Sequence, residues 1–223
     1  MRRFAVIGLG RFGAKLAVDL AMHGAEVIAI DIDRAQVEML RDQVSLPVRL
    51  DSTDELALKA QGVDKVDVAI VSMGQQGFEA AILTVVNLKQ MGVPQIVARA
   101  ESPTAGEVFH KIGATEVIYP EMECAQRWCF KLIAPQITDK LDFAPGYSLA
   151  RVKAPASFDG KTVLELQLRQ KYNLNLVIIK RSETAERDPG EVFNVTNPNT
   201  VIFQEDLLML VGSDAALAKL PQE

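Results

Sequence analysis

Between Phe4 and Tyr119 the chain repeats one unit: a short apolar, β-branched run, then a longer amphipathic stretch, most often closed by glycine. The runs are Phe4 to Ile7, Glu26 to Asp31, Pro47 to Asp51, Val66 to Ser72, Gln95 to Arg99 and Glu116 to Tyr119. Strands this apolar must be covered on both faces, and intervening helices supply that cover. The pattern predicts an α/β, Rossmann-type doubly wound parallel sheet. Its helices are expected over Arg11 to Met22, from an Asp33 cap to Arg41, from a Ser52 or Thr53 cap to Gly62, over Gln75 to Met91 and over Thr104 to Ile112. Gly24, Gly62, Gly92 and Gly113 stand where those helices should stop.

After Pro120 the rhythm changes. Glu121 to about Asp139 reads as one long helix with Pro135 near its end, and 140–147, holding Pro145-Gly146, reads as a linker. The remaining 148–223 carries shorter elements: strands near Leu149 to Lys153, Leu174 to Arg181 and Leu207 to Val211, and a helix over Val163 to Lys171. The expected organisation is therefore a nucleotide-fold domain over 1–139, the linker, and a small α+β domain of roughly 75 residues, a size that often relies on pairing with a second copy.

The first turn of that pattern carries the chemistry. Gly8-Leu9-Gly10-Arg11-Phe12-Gly13 follows a predicted strand, opens a predicted helix, and is answered by Asp31 at the close of the next strand. In such a turn the first glycine makes the bend, the second leaves room for phosphate, and the third lets the helix pack on the sheet. The free N–H groups and positive end of the helix then hold the phosphates. Asp31 is expected to accept from ribose hydroxyls and to repel a 2′-phosphate. Arg11 stands beside the phosphates, where a guanidinium pairs with a terminal phosphate; the alternative is a solvated arginine at a helix start. A bridged dinucleotide has less need of that cation than a free distal phosphate, which favours ADP or ATP over NAD.

What is missing narrows the chemistry further. Tyr119, Tyr147 and Tyr172 are followed four residues on by Glu123, Arg151 and Leu176, so no Tyr-x-x-x-Lys pair exists. His23 and His110 lack the setting of a general acid or base, and there is no paired-histidine metal motif, nucleophile elbow or P-loop. Sensing, without turnover, is the expectation. A formal charge of −5 with no Lys/Arg cluster argues against nucleic acid or an anionic membrane as main partner. Met1-Arg2-Arg3 runs straight into the first strand, so no leader is expected. The longest apolar runs fall far short of a span of about 20 residues, so no direct membrane insertion is expected either. Cys124 and Cys129, five apart, are expected as two partly buried free thiols in a reducing compartment.

Phe4 to Gly13, Glu26 to Asp31, Leu50-Asp51-Ser52-Thr53 and the run from Ile112-Gly113-Ala114 to Pro120-Glu121 resemble the N-terminal domain of the RCK (regulator of potassium conductance) family. The rest of the chain resembles its smaller C-terminal domain, and one copy of each is similar to KtrA-type subunits. That resemblance implies a cytoplasmic, non-enzymatic gating subunit, a homodimer assembling into an octameric ring, attached to the inner face of the membrane through a membrane-embedded potassium channel or transporter subunit. It implies ATP/ADP exchange as the signal, with NAD/NADH as the alternative ligand. By position, the nucleotide set is Gly8, Gly10, Arg11, Phe12, Gly13, Asp31, Ile32, Asp51, Ser52 and Arg99. Glu121 matches a glutamate that helps hold Mg or Ca at a dimer interface, or else simply complements a helix dipole. Arg169 and Asn175, in Leu168 to Asn175, match a cyclic di-AMP segment, against the plainer reading of a helix-to-strand junction. Ser72 to Phe78 follows the family pattern only loosely.

Overall fold

The computed structural model describes residues 2–133, 137–182, 192–194 and 197–221. The chain divides into two compact units, Met1–Met122 and Glu123–Glu223.

The first unit is built on six strands: β1 (Arg3–Ile7), β2 (Glu26–Asp31), β3 (Leu46–Arg49), β4 (Val68–Val71), β5 (Gln95–Arg99) and β6 (Glu116–Ile118). They form one sheet of order β3-β2-β1-β4-β5-β6, and every pairing is parallel. Period-2 alternation sends successive residues to opposite faces. Ala5, Ile7, Ile28, Ile30, Ala69 and Val71 join one buried cluster, while Val6, Val27, Ala29, Val68 and Ile70 join another. Helices α1 (Arg11–Met22) and α2 (Arg34–Met39) seal the second cluster through Ala17 and Val37. Helices α3 (Glu55–Ala60), α4 (Phe78–Gln90) and α5 (Pro103–Ile112) seal the first through Leu58, Val85, Leu88 and Phe109. The sheet is doubly wound, as expected.

Helix ends follow their local chemistry. Asp33 caps α2 by accepting from Ala35 N–H, and Ser102 caps α5 with Pro103 following. Asp54, not Ser52 or Thr53, caps α3. The two earlier side chains are already committed: the Thr53 hydroxyl donates to Asp51 at 2.8 Å, and Ser52 Oγ lies 2.7 Å from Thr84 Oγ1 in α4. Residues Gln75–Gly77 form a 3-10 turn, so α4 starts later than its sequence suggests.

Helix α6 (Pro120–Ile133) is shorter than expected, and the stretch read as helix end and linker is a strand. This β7 (Ile137–Ala144) pairs antiparallel with β8 (Tyr147–Lys153), and Gly146, at φ +73°, lies in the turn between them. Ile137 is fully buried, so pairing with β8 places an apolar anchor in the core that a linker would leave in water. Pro135 lies outside the described residues. The compact-unit boundary after Met122 accordingly precedes the expected one at 139.

The second unit continues with α7 (Val163–Leu166), α8 (Leu168–Tyr172), β9 (Asn175–Lys180), β10 (Val192–Asn194), β11 (Leu207–Ser213) and α9 (Asp214–Leu217). Its sheet runs β10-β9-β11-β8-β7, antiparallel throughout. Strand β8 buries alternate residues Ser148, Ala150 and Val152, the signature of a sheet covered on one face. The single helix expected over 163–171 breaks at Gln167, which adopts φ 49°, ψ 40°. Leu166 and Leu168 are both buried in the core. Two residues apart on one helix they would point about 200° from each other, so the break is what lets both face inward.

Candidate functional site

The site forms where β1 hands the chain to α1. Gly8 sits at φ +92°, and a Cβ there would lie 3.0 Å from both the backbone N and Cγ of Met73. A side chain on Gly13 would collide with the Gly8 carbonyl and the Ser72 hydroxyl, so the helix can approach the sheet only without one. Gly10 is the opposite case: no atom lies within 4 Å of its would-be Cβ. Gly10 is also the N-cap of α1, with no side-chain cap hydrogen bond and no acidic residue in the first turn. The first N–H groups of that helix are thus left for an external acceptor with open space in front of them.

The turn is held from both sides. The Asp31 carboxylate accepts the Leu9 N–H at 2.6 Å and the Asp33 N–H at 2.8 Å, fastening the turn to the end of β2. From β4, Ser72 Oγ donates to the Gly8 carbonyl at 2.5 Å, in bifurcated fashion with the Ile7 carbonyl at 3.3 Å. Ser72 is buried and was invisible to sequence reasoning as a site residue. Its only local signal is a hydroxyl closing an otherwise apolar strand.

The other expected residues divide. Arg11 is exposed at the first position of α1, with Phe12 half-buried behind it. Ile32 is exposed beside Asp31 at the end of β2. Asp51 is exposed and accepts both the N–H and the hydroxyl of Thr53; the backbone bond first, then the hydroxyl, hold its carboxyl below the usual range. Ser52 is buried, facing Thr84, so its side chain ties the loop to α4. Arg99, at the end of β5, lies in the next part of the same sheet edge. Its Nη2 meets Glu121 Oε1 at 2.7 Å and Glu101 Oε1 at 3.7 Å. Arg99 and Glu101 line a cavity of about 360 Å³ with Met73, Gly74, Phe78 and Phe109.

Glu121 stands in the first turn of α6, and among the described residues no cluster of three or more His, Cys, Asp or Glu could hold a metal. Cys124 and Cys129, on the same helix, are free and exposed, contrary to the partial burial expected of them. In the second unit Arg169 and Asn175 line one cavity of about 500 Å³ together with Leu164, Gln167, Leu174 and Pro198. Both side chains are exposed to it from either side of the turn joining α8 to β9.

A glycine turn at the end of β1, beside the point where the strand order of a parallel 3-2-1-4-5-6 sheet reverses, defines the class: a Rossmann-type protein carrying a second, antiparallel unit. The TrkA-N domain model matches residues 4–120 and the TrkA-C domain model residues 148–221, and the chain belongs to this TrkA-N/TrkA-C (RCK) family. It is 37% identical over 212 residues to Ktr system potassium uptake protein C of Bacillus subtilis (strain 168), covering 95% of this chain and 92% of that protein. It is 28% identical over 222 residues to Ktr system potassium uptake protein A of the same organism, covering 100% and 96%. The fold is shared with the GsuK RCK domain (TM-score 0.56, 22% identity, 96% of this chain and 44% of that one) and with the GsuK channel bound to NAD (TM-score 0.56, 22% identity, 97% and 37%). This chain therefore spans less than half the length of either of those structures.

Proposed function

We propose that this chain is a nucleotide-sensing regulatory subunit of a potassium-uptake system, binding ATP or ADP at the glycine turn. The observation that carries the reading is the uncapped N-terminus of α1 with open space over Gly10, fastened to an acidic residue at the end of β2. The full-length similarity to Ktr system potassium uptake proteins supplies the process that the sensing serves. In this reading the phosphates rest on the N–H groups after Gly10, and Arg11, free at the helix start, takes the distal phosphate. Asp31 and the neighbouring Ile32 receive the ribose, and Asp51, ionised, lies toward the base. The subunit acts on the cytoplasmic side of the membrane through an integral potassium-transporting partner, as a homodimer assembling into an octameric ring. No helix among the described residues is long and apolar enough to cross a membrane.

The cation expected from the family, Mg or Ca, is only partly provided for by one chain. Glu121 offers one exposed carboxylate, at present paired with Arg99. Phosphate oxygens and a second copy would have to complete the coordination. Such a cation relieves the repulsion between phosphate groups brought together. The Arg169/Asn175 cavity suits a second, phosphate-bearing ligand of the cyclic di-AMP kind, with Arg169 on phosphate and Asn175 on ribose or base.

Thermal-shift titration with ATP, ADP and NADH tests the first site. Stabilisation by ATP and ADP above that by NADH is expected, and no response to either adenylate would sink the reading. NADH outranking ATP would favour the second reading, an NAD(H)-binding regulator or oxidoreductase. That reading draws support from the fold shared with the NAD-bound GsuK channel, and from the cavity of about 360 Å³ beyond β4, large enough for a second nucleoside. Hydride transfer to a carbonyl panel, abolished by Asp31→Ala, would establish the oxidoreductase.

A further inference from the structure

Resting on the reading of the glycine turn as a phosphate site, we infer that Arg99 exchanges partners: an anionic ligand on that turn takes the guanidinium from Glu121, so that ligand binding releases the start of α6.

Three features of the first unit carry this. Consecutive strand ends place the groups within reach. Ile7 of β1 is level with Val71 of β4, and Val71 with Ala98 of β5. Gly8 and Ser72, the first residues beyond β1 and β4, and Arg99, the last residue of β5, therefore stand at one level across three adjacent strands. At about 4.8 Å per strand, the backbones of Gly8 and Arg99 are roughly 10 Å apart, and a long side chain between them spans most of that gap. Met73 bridges the same interval, lying against Gly8 on one side and lining the Arg99 cavity on the other.

The pairing is also lopsided. The Arg99 side chain is 15% exposed while that of Glu121 is 63% exposed, so the fixed member is the cation and the replaceable one is the carboxylate. Glu121 engages Nη2 alone, and the buried Nε of Arg99 has no hydrogen-bond partner. A phosphate can use two adjacent guanidinium donors where this carboxylate uses one. Glu101 stays behind: it accepts the Gln75 N–H at 3.0 Å, which ties it to the turn before α4.

The consequence is a link between ligand and helix. Glu121 is the second residue of α6, whose course runs out of the first compact unit into the second. While Glu121 holds Arg99, the beginning of that helix is pinned to the end of β5. Once phosphate holds Arg99, the pin is gone and the carboxylate is free to meet a cation. One salt bridge would thereby report occupancy of the glycine turn to the segment joining the two units.

A double-mutant cycle by calorimetry tests this, titrating ADP and ATP in EDTA against the full chain, Glu121→Gln, Arg99→Gln and the double variant. Removing the competing carboxylate should tighten ATP about threefold or more, the scale of a partly exposed ion pair. Arg99→Gln should weaken ATP and erase the gain from Glu121→Gln in the double variant. Since Glu121 is exposed, its amide variant is expected to fold, and Arg99→Lys serves as a charge-preserving control if Arg99→Gln lowers the melting temperature. Unchanged or weaker ATP binding by Glu121→Gln, or a gain that persists without Arg99, overturns the exchange. If the unmutated chain binds neither nucleotide, the glycine-turn reading falls, and the exchange with it; binding with a flat cycle removes the exchange alone.

Discussion

At the scale of single residues, the three glycines of the turn have different jobs, and substitution should separate them. Gly13→Ala drives a methyl into the Gly8 carbonyl and Ser72 hydroxyl, and backbone cannot yield as a side-chain tip can. A loss of about 3 kcal/mol is expected, read as a fall in the denaturant midpoint. Gly10→Ala meets nothing, and its φ of −63° suits any residue. It should leave the midpoint within about 0.5 kcal/mol while weakening nucleotide, because the methyl occupies the phosphate's approach. Asp31 also has two roles. Its carboxylate holds Leu9 N–H and, in the proposed reading, also receives a ribose, so Asp31→Ala should weaken inorganic tripolyphosphate, which has no ribose, along with ATP. Tripolyphosphate affinity left intact would confine Asp31 to the sugar. Arg11→Ala should weaken ATP more than AMP, since only distal phosphates are within its charge-assisted reach; equal losses by calorimetry would remove that role.

At the scale of elements, the junction between α7 and α8 shows a local cost accepted for a tertiary gain. Gln167 sits in the left-handed region, which costs a residue bearing a Cβ about 1 kcal/mol. Gln167→Gly should therefore raise stability by roughly 0.5–1 kcal/mol, despite glycine's poor helix propensity, because the position is a helix cap. A midpoint that falls instead would show that the Gln167 side chain contributes more than the strain removes. The β7–β8 hairpin has its own electrostatic fastening. Lys140 meets Asp142 at 2.7 Å and Asp214 at 3.1 Å, and the fully buried Ser148 hydroxyl lies between the same two carboxylates. Hydrogen bonds from Lys140, then from Ser148, lower the Asp142 pKa. A carboxyl lowered on folding stabilises the fold above its unfolded value near pH 3.9, and that contribution is lost as pH falls through the folded value. Acid should thus loosen the second unit below about pH 4, by under about 1 kcal/mol because Asp142 is largely exposed. Ser148→Ala should flatten that acid limb in urea titrations at stepped pH.

At the scale of the whole molecule, two compact units with separate cores permit separate responses. A ligand confined to the glycine turn stabilises the unit that binds it by about 2.7 kcal/mol at a hundredfold excess over its dissociation constant. Calorimetric scans with ATP should raise the transition belonging to Met1–Met122, and a cyclic dinucleotide should raise the other. A cyclic dinucleotide that moves neither transition would remove the Arg169/Asn175 site.

The amino-acid sequence by itself determined the parallel sheet, its order of elements and the glycine turn. These follow from short-range rules: β-branched runs, glycine stops, and a turn whose partners lie within one βαβ unit. It also singled out Asp31, whose carboxylate the structure shows fastening the turn through the Leu9 N–H. Only the tertiary structure decided that 137–144 is a strand, since Ile137 gains from burial against a sheet whose other members come later in the chain. The same holds for the break at Gln167, for Ser72 under Gly8, and for the pairing of Arg99 with Glu121. Each depends on residues brought together from distant positions, and no local pattern of propensity or charge encodes such a meeting.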